Sequence, residues 1–190
     1  MKYDEVISKI ESGDLFLFRR SKTLFGAIIR IVTQSPFSHV GVAVWIRNNH
    51  GCSRLTIVEA LEGVGVRLYP LDRYLDECRQ GACLVDWYKV CDDGVDKEKV
   101  AEFALSQWGA AYARPFQFVW SWGKISSRLR RWMGWCADLD ERRWFCSELA
   151  ARALLEAGYV PDAAEPIVAA LTDPGTIALL PCVKRMGVLE

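Results

Sequence analysis

Histidine is scarce in this sequence, and its cysteines lack the spacing of a metal site. The chain has two histidines, and its seven cysteines include no Cys-x-x-Cys pair. Structural zinc sites take closely spaced cysteine and histidine ligands, so we expect no metal ion, and nothing else implies a cofactor. Disulfide scaffolds are typical of short secreted chains, whereas this chain has 190 residues. We therefore predict mostly reduced thiols, as in a reducing compartment.

The chain also lacks a charge excess and a long apolar segment. Lysine plus arginine total 24, equal to aspartate plus glutamate, so no overall field favours nucleic acid as a partner. No apolar run reaches the length of a membrane span, and residues 1–6 lack the apolar core of a signal peptide. These absences predict a cytoplasmic protein, with export by another route left open.

The composition is that of a globular protein, and the order of its elements predicts the fold class. Hydrophobic residues make up 51% and charged residues 25%, so we expect residues 1–190 to form a single domain. Runs rich in β-forming residues predict strands, in hairpin-like succession, at 15–18, 39–46, 55–60, 65–69 and 82–88. Helices then follow, which predicts an α+β fold with an antiparallel sheet packed against helices.

Helices are predicted where apolar residues recur at helical spacing. Ser21 is a candidate cap for a helix with Ile28 and Ile31 on its apolar face, and Asp96 is a candidate cap for a later helix. The C-terminal tail holds four of the seven prolines, which predicts a surface segment with one short strand near 177–180.

Cys146 lies in the first turn of a predicted amphipathic helix, which carries Leu149 and Leu154 on its apolar face and ends at Gly158. A thiol at a helix N-terminus lies near the positive end of the helix dipole and near backbone N–H groups. Both favour the thiolate, which is the nucleophilic form of cysteine. Cys146 is therefore a candidate catalytic nucleophile, and a small core residue is the alternative interpretation.

Two further residues can complete a catalytic triad with this cysteine. His39 opens a predicted strand beside the small residue Gly41, and Glu59 interrupts the apolar run of the next strand. We predict that His39 takes the thiol proton and that Glu59 accepts from the other ring nitrogen, which fixes the tautomer. The alternatives are a polar residue satisfied at a strand start for His39 and a solvent-facing position for Glu59.

Four short segments carry a family resemblance. They are Gly-Asp-Leu-Phe-Leu-Phe at 13–18, Ser-His-Val-Gly-Val at 38–42, Val-Glu-Ala at 58–60 and Phe-Cys-Ser-Glu-Leu at 145–149. In this order they resemble the circularly permuted branch of the NlpC-type papain-like cysteine hydrolases, the YiiX/YebB-like proteins. The resemblance covers about residues 12–160. It implies a permuted papain-like fold with Cys146 as nucleophile, His39 as base and Glu59 as orienting residue.

The resemblance also implies an activity and a set of partners. The expected activity is a thiol-dependent peptidase or amidase, which cleaves an amide or ester through an acyl-enzyme without a cofactor. Cell-wall peptides are the default substrate class, and no nucleic acid is expected. The family often has Tyr-Asp-x-x-Phe before the cysteine helix, whereas here Tyr112 is followed by Ala113. Tyr112 is predicted to line the substrate pocket, and packing in the core is the alternative.

An aromatic and basic insertion is predicted at about 114–143. Four tryptophans lie within residues 120–135, among lysine and arginine side chains. The interpretations are a helical lid packed over the groove, a lipid-contacting surface at 116–135, and a site for a partner protein. Lipid contact motivates a second function hypothesis, acyl hydrolysis or transfer of the lecithin:retinol acyltransferase-like kind. A third is a non-catalytic binding module, against which the intact Cys146, His39 and Glu59 argue.

Overall fold

The structure is a computed structural model that describes most of the chain. The described residues are 1–19, 24–47, 49–81, 83–113, 143–162 and 167–190. The predicted insertion at about 114–143 therefore lies outside the described residues except for Arg143, and so does the predicted cap Ser21.

Eight strands are present in the described residues. They are β1 (Leu15–Arg19), β2 (Phe37–Arg47), β3 (Ser53–Leu61), β4 (Gly65–Pro70), β5 (Leu84–Val90), β6 (Ala111–Tyr112), β7 (Arg143–Trp144) and β8 (Val183–Leu189). Six of them form one antiparallel sheet in the order β4-β3-β2-β1-β5-β8, while β6 and β7 pair in parallel as a separate ribbon.

Helices cover both faces of the six-stranded sheet. They are α1 (Tyr3–Val6), continued by a 3₁₀ turn at Ile7–Lys9, then α2 (Leu24–Thr33), α3 (Leu71–Arg79), α4 (Lys97–Ser106), α5 (Cys146–Glu156), a 3₁₀ turn at Ala169–Leu171, and α6 (Pro174–Ala178). Buried residues of α4, α5 and α6 pack on one face, and those of α1 and α3 on the other. The predicted α+β architecture is confirmed. Within the described residues, none of the helices has both the length and the apolar character that a membrane crossing requires.

The alternation of side chains along β1 explains the two cores. Leu15 and Leu17 contact the face that carries α4 and α5, whereas Phe16 and Phe18 contact the face that carries α3. All four are buried, which is why β1 appears in the sequence as an unbroken apolar run rather than an alternating one.

The sheet opens between β2 and β3 at one end. The pairing of β2 with β3 ends at Val42 and Val58, although β2 stays paired with β1 down to Phe37. β3 likewise stays paired with β4 up to Leu61. The two halves of the sheet therefore separate beyond this point, and the segments that carry His39 and Glu59 lie at the opening.

The side chain of Asp14 anchors the start of β1 to the segment before it and to β5. Its buried carboxylate accepts hydrogen bonds from the N–H of Glu11 at 3.1 Å, Nε1 of Trp87 at 2.9 Å and the N–H of Val90 at 3.2 Å. Burial raises the pKa of Asp14, and these three donors act against that rise. The preceding Gly13 has a φ of +88°, and a Cβ there would lie 2.3 Å from the carbonyl oxygen of Lys97.

We expect Asp14→Ala to lower the free energy of unfolding by about 3 kcal/mol, because it leaves three N–H donors without this acceptor and two of those hydrogen bonds are buried. Asp14→Asn should also destabilise the fold, since its amide nitrogen would face a donor in place of a carboxylate oxygen. Urea unfolding measures both changes. Asp93→Asn, at an exposed aspartate, is the matched control. Equal unfolding midpoints for Asp14→Ala and the unmodified protein would contradict this account.

One cysteine pair departs from the predicted reduced thiols. Cys78, in the last turn of α3, forms a disulfide with Cys83, which precedes β5. The prediction considered only Cys-x-x-Cys spacing and chain length, whereas the turn from α3 into β5 brings these two Cα atoms to 4.6 Å. The other described cysteines carry thiols.

The prediction of a strand near 177–180 is wrong. That segment begins in α6, and the strand follows it as β8, which pairs with β5 at the edge of the sheet. The helix forms because the Asp173 carboxylate accepts from the N–H of Thr176 at 2.9 Å and Pro174 occupies the first helical turn. An N-cap aspartate followed by proline is a strong helix start, and it outweighs the apolar composition of the segment.

The predicted apolar face of α2 is also wrong in part. Ile31 is 76% exposed, whereas Ile29 is buried and packs with Ala113 and Phe145. The face of α2 is therefore set by its contact with the segments on either side of the predicted insertion, which helical periodicity alone does not show.

Candidate active site

The imidazole of His39 and the carboxylate of Glu59 meet at the opening between β2 and β3. His39 Nε2 lies 2.5 Å from Glu59 Oε2, and the carboxylate is fully buried while the His39 side chain is 16% exposed. Burial alone would raise the pKa of Glu59, but the charge of His39 and the hydrogen bond with it lower the pKa overall. The pair is thus a short, charge-assisted hydrogen bond with an ionised carboxylate.

Cys146 is the first residue of α5, where the chain leaves β7 and enters the helix. Residue 146 is 4% exposed. Glu148 Oε2 accepts from the N–H of Phe145 at 3.3 Å and so caps the N-terminus of the helix. Burial raises the pKa of Glu148, and the hydrogen bond from the N–H of Phe145 acts against that rise.

His39 is electrostatically linked to Cys146 as well as to Glu59. Burial alone would lower the pKa of His39, but the negative charges of Cys146 and Glu59 and hydrogen bonds with both raise it to about 10. Because Nε2 faces Glu59, Nδ1 is the ring nitrogen left for the sulfur. The ring of His39 therefore keeps its positive charge at neutral pH.

The structure thus brings together the three residues that the sequence predicted as a triad. His39 comes from β2, Glu59 from β3 and Cys146 from the start of α5. These residues are far apart in the sequence. Because the sheet opens between β2 and β3, the ring of His39 can reach both Glu59 on β3 and Cys146 at the start of α5. This arrangement can move a proton between the sulfur and the ring while the carboxylate fixes the tautomer.

Two residues that the sequence analysis did not single out also hold Glu59. Arg67 Nε donates to Glu59 Oε1 at 2.8 Å, and the hydroxyl of Tyr74 lies 2.8 Å and 2.7 Å from the two carboxylate oxygens. A signal for Arg67 was available, because a hairpin with its turn around Gly63 places residue 67 directly opposite Glu59. For Tyr74, which reaches Glu59 from α3 across the sheet face, local sequence patterns hold no comparable signal.

Tyr112 lies close to the sulfur and also packs in the core. Its ring makes an edge contact with Phe145, with centroids 5.7 Å apart. Burial raises the pKa of Tyr112, and the negative charges of Cys146 and Glu62 add to the rise. The packing alternative for Tyr112 therefore has structural support, and its role in a substrate pocket stays a prediction.

Across the described residues, no group of three or more histidine, cysteine, aspartate or glutamate side chains is placed to hold a metal ion.

Comparison with known proteins finds a matching family model and a solved structure of similar fold. A family model for permuted papain-like amidase enzymes, the YaeF/YiiX or C92 family, matches residues 9–172. The structure is similar to that of a protein from Escherichia coli O157:H7, described as metalloprotein yiiX, with a TM-score of 0.61. That similarity covers 93% of this chain and 96% of the other at 17% identity, so it shows a shared fold. No curated protein sequence matches the chain.

Proposed function

The chain belongs to the C92 family of permuted papain-like amidases, and we propose that it cleaves an amide or ester through an acyl-enzyme formed on Cys146. The family is one of papain-like cysteine peptidases and amidases, so the general class of the reaction follows from membership. The observation that carries the finer proposal is the position of the His39 ring between Glu59 and Cys146.

The proposed first step is attack by the Cys146 thiolate on the acyl carbon of the substrate. A carbon–sulfur bond forms and the carbonyl oxygen takes the negative charge. The imidazolium of His39 then gives its proton to the leaving nitrogen or oxygen, whose bond to carbon breaks. The products of this half-reaction are a thioester on Cys146, a neutral His39 and the released amine or alcohol.

The second step returns the enzyme to its starting state. Neutral His39 removes a proton from water, the resulting hydroxide attacks the thioester, and the carbon–sulfur bond breaks to release the acid and the thiolate. Glu59 keeps Nε2 of the ring protonated in both steps, so that Nδ1 exchanges the reacting proton.

A donor for the oxyanion is supplied by the start of α5. Backbone N–H groups in the first turn of a helix have no carbonyl partner inside that helix. The N–H of Cys146 is therefore suited to donate to the substrate oxygen as it becomes negative, and the positive end of the helix dipole adds to this effect.

Cell-wall peptides are the proposed default substrate, on the basis of the family resemblance. Lipid acyl hydrolysis or transfer is the competing proposal, and it depends on contact through 116–135, which lies outside the described residues. The two proposals share the same nucleophile and differ in the acyl group that it accepts. The covalent product on Cys146 therefore distinguishes them.

We expect intact-mass spectrometry after acid quenching to detect an acyl adduct on Cys146. The panel should contain peptide fragments of cell-wall type, simple acyl esters, and vesicles of a phosphatidylcholine. A peptide acyl adduct supports the amidase proposal, and a fatty acyl adduct supports the lipid alternative. Cys52→Ala, at the opposite end of β3 from Glu59, is the control that should keep the adduct. Product formation with no mass increase on Cys146 at any quench time would contradict the acyl-enzyme.

A further inference from the structure

We propose that Tyr74 and Arg67 are positioning residues, which keep Glu59 ionised and aimed at His39. This inference rests on the proposed function, because it concerns how the same site is held ready. It adds two groups from β4 and α3 that do not belong to the three-residue pattern of the family resemblance.

Tyr74 holds the orientation of the carboxylate. Its hydroxyl lies within 2.8 Å of both oxygens of Glu59, so it bridges them and restricts rotation of the group. Burial raises the pKa of Tyr74, and the charge of Glu59 adds to the rise, so the phenol keeps its proton and donates it. The ring is fixed by Phe18 at 4.8 Å and by Tyr69 at 4.9 Å between centroids.

Arg67 supplies a fixed positive charge to the same carboxylate. Its Nε donates to Oε1 at 2.8 Å, and Nη2 lies 3.4 Å from the Tyr74 hydroxyl. The guanidinium also lies over the ring of Tyr69, 4.4 Å from its centroid. These three contacts hold the planar guanidinium in one orientation. An arginine in a single surface ion pair is not held in this way.

The charges of the site balance only when Arg67 is counted. With Cys146 as thiolate and Glu59 ionised, the site holds two anions, while the imidazolium of His39 is one cation and Arg67 the second. Without Arg67 the cluster would carry a net negative charge in a largely buried place. Every acid in the cluster would then bind its proton more tightly, because a nearby positive charge has been removed.

This balance predicts how the pH profile of the enzyme moves. In Arg67→Met, both Glu59 and the sulfur become easier to protonate, so the acid limb of the pH–activity profile moves to higher pH. The same loss of positive charge lets His39 hold its proton to higher pH, so the alkaline limb of the profile also moves to higher pH. We expect the whole profile to shift upward by about one pH unit in Arg67→Met, and by less in Tyr74→Phe, which removes a neutral donor.

The test combines two readouts on these variants. Alkylation of Cys146 by iodoacetamide reports the acid limb without any substrate, and the pH dependence of kcat/KM reports both limbs. We expect kcat to fall about tenfold with KM nearly unchanged, since neither residue binds substrate in this proposal. Arg67→Lys, which restores the charge, should move the profile back toward that of the unmodified protein.

Matched controls separate this role from simple packing. Tyr69→Phe removes a nearby phenol that donates to Glu77, and Arg54→Met removes an exposed arginine paired with Asp72. Both should leave the pH profile in place. An unshifted profile in Arg67→Met and Tyr74→Phe, even with lower stability, would overturn the inference. If Cys146→Ala loses turnover while the profiles of Arg67→Met and Tyr74→Phe stay in place, this inference fails and the proposed function stands; if Cys146→Ala keeps turnover, the proposed function fails as well, so the two failures are distinguishable.

Discussion

Replacing Cys146 by alanine is expected to abolish turnover, with a loss in kcat/KM of at least about a thousandfold. The acyl-enzyme needs a nucleophile on this side chain, and neither the imidazole of His39 nor the helix dipole can form the bond in its place. The fold should persist, because the change removes one buried sulfur from a helix whose apolar residues Leu149 and Leu154 still pack on the sheet. Hydrolysis of the best substrate from the adduct panel is the measurement.

Two further observations make this test decisive. Cys52→Ala should keep full activity, since Cys52 is exposed and lies at the far end of β3 from Glu59. Cys146→Ser should also lose most of the activity, because a hydroxyl does not ionise beside His39 as a thiol does. Turnover by Cys146→Ala at more than about a tenth of the normal rate would remove the nucleophile assignment.

The same variant tests the electrostatic link between sulfur and ring. The charge of Cys146 is the largest of the effects that raise the pKa of His39 to about 10. In Cys146→Ala that pKa should therefore fall, while the contact with Glu59 keeps it above the ordinary value. The chain has two histidines, so the signals of His39 can be assigned in a nuclear magnetic resonance titration by comparison with His50→Gln.

Local sequence signals make the residues of the proposed triad candidates, and the family resemblance joins them. Cys146 follows an extended residue and begins an amphipathic helix, and Glu59 is a single acidic residue in an apolar strand. His39 and Glu59 fall on the same face of neighbouring strands by alternation, so their meeting follows from strand geometry. What links them to Cys146 is the opening of the sheet beyond Val42 and Val58, for which the sequence holds no local signal.

The features that the sequence could not show depend on contacts between distant elements. Tyr74 reaches Glu59 from α3, and no periodicity indicates that this helix crosses the face that carries Glu59. The exposure of Ile31 and the burial of Ile29 are set by neighbours beyond α2. The disulfide between Cys78 and Cys83 depends on how α3 turns into β5. In each case tertiary packing, rather than local preference, decides the outcome.

Replacing His39 by alanine is expected to slow the alkylation of Cys146 by iodoacetamide about tenfold or more at pH 7. The thiolate is the reactive form, and an ordinary thiol is only a few per cent thiolate at that pH. In the unmodified protein the imidazolium provides a positive charge next to the sulfur, since its pKa is raised to about 10. His39→Gln, which keeps a polar side chain beside Glu59, repeats the test in case alanine disturbs the packing.

The pH dependence of this difference follows from the sign of the shift. The pKa of His39 is raised from 6.5 to about 10, so the ion pair stabilises the folded protein fully below about pH 6.5 and this stabilisation is lost as the pH rises through about 10. The advantage of the unmodified protein over His39→Ala in alkylation should therefore be greatest at neutral and lower pH and vanish above about pH 10. His50→Ala, at an exposed turn, should behave as the unmodified protein does. Equal alkylation rates for His39→Ala and the unmodified protein between pH 6 and 7 would show that the imidazole does not hold the sulfur as a thiolate.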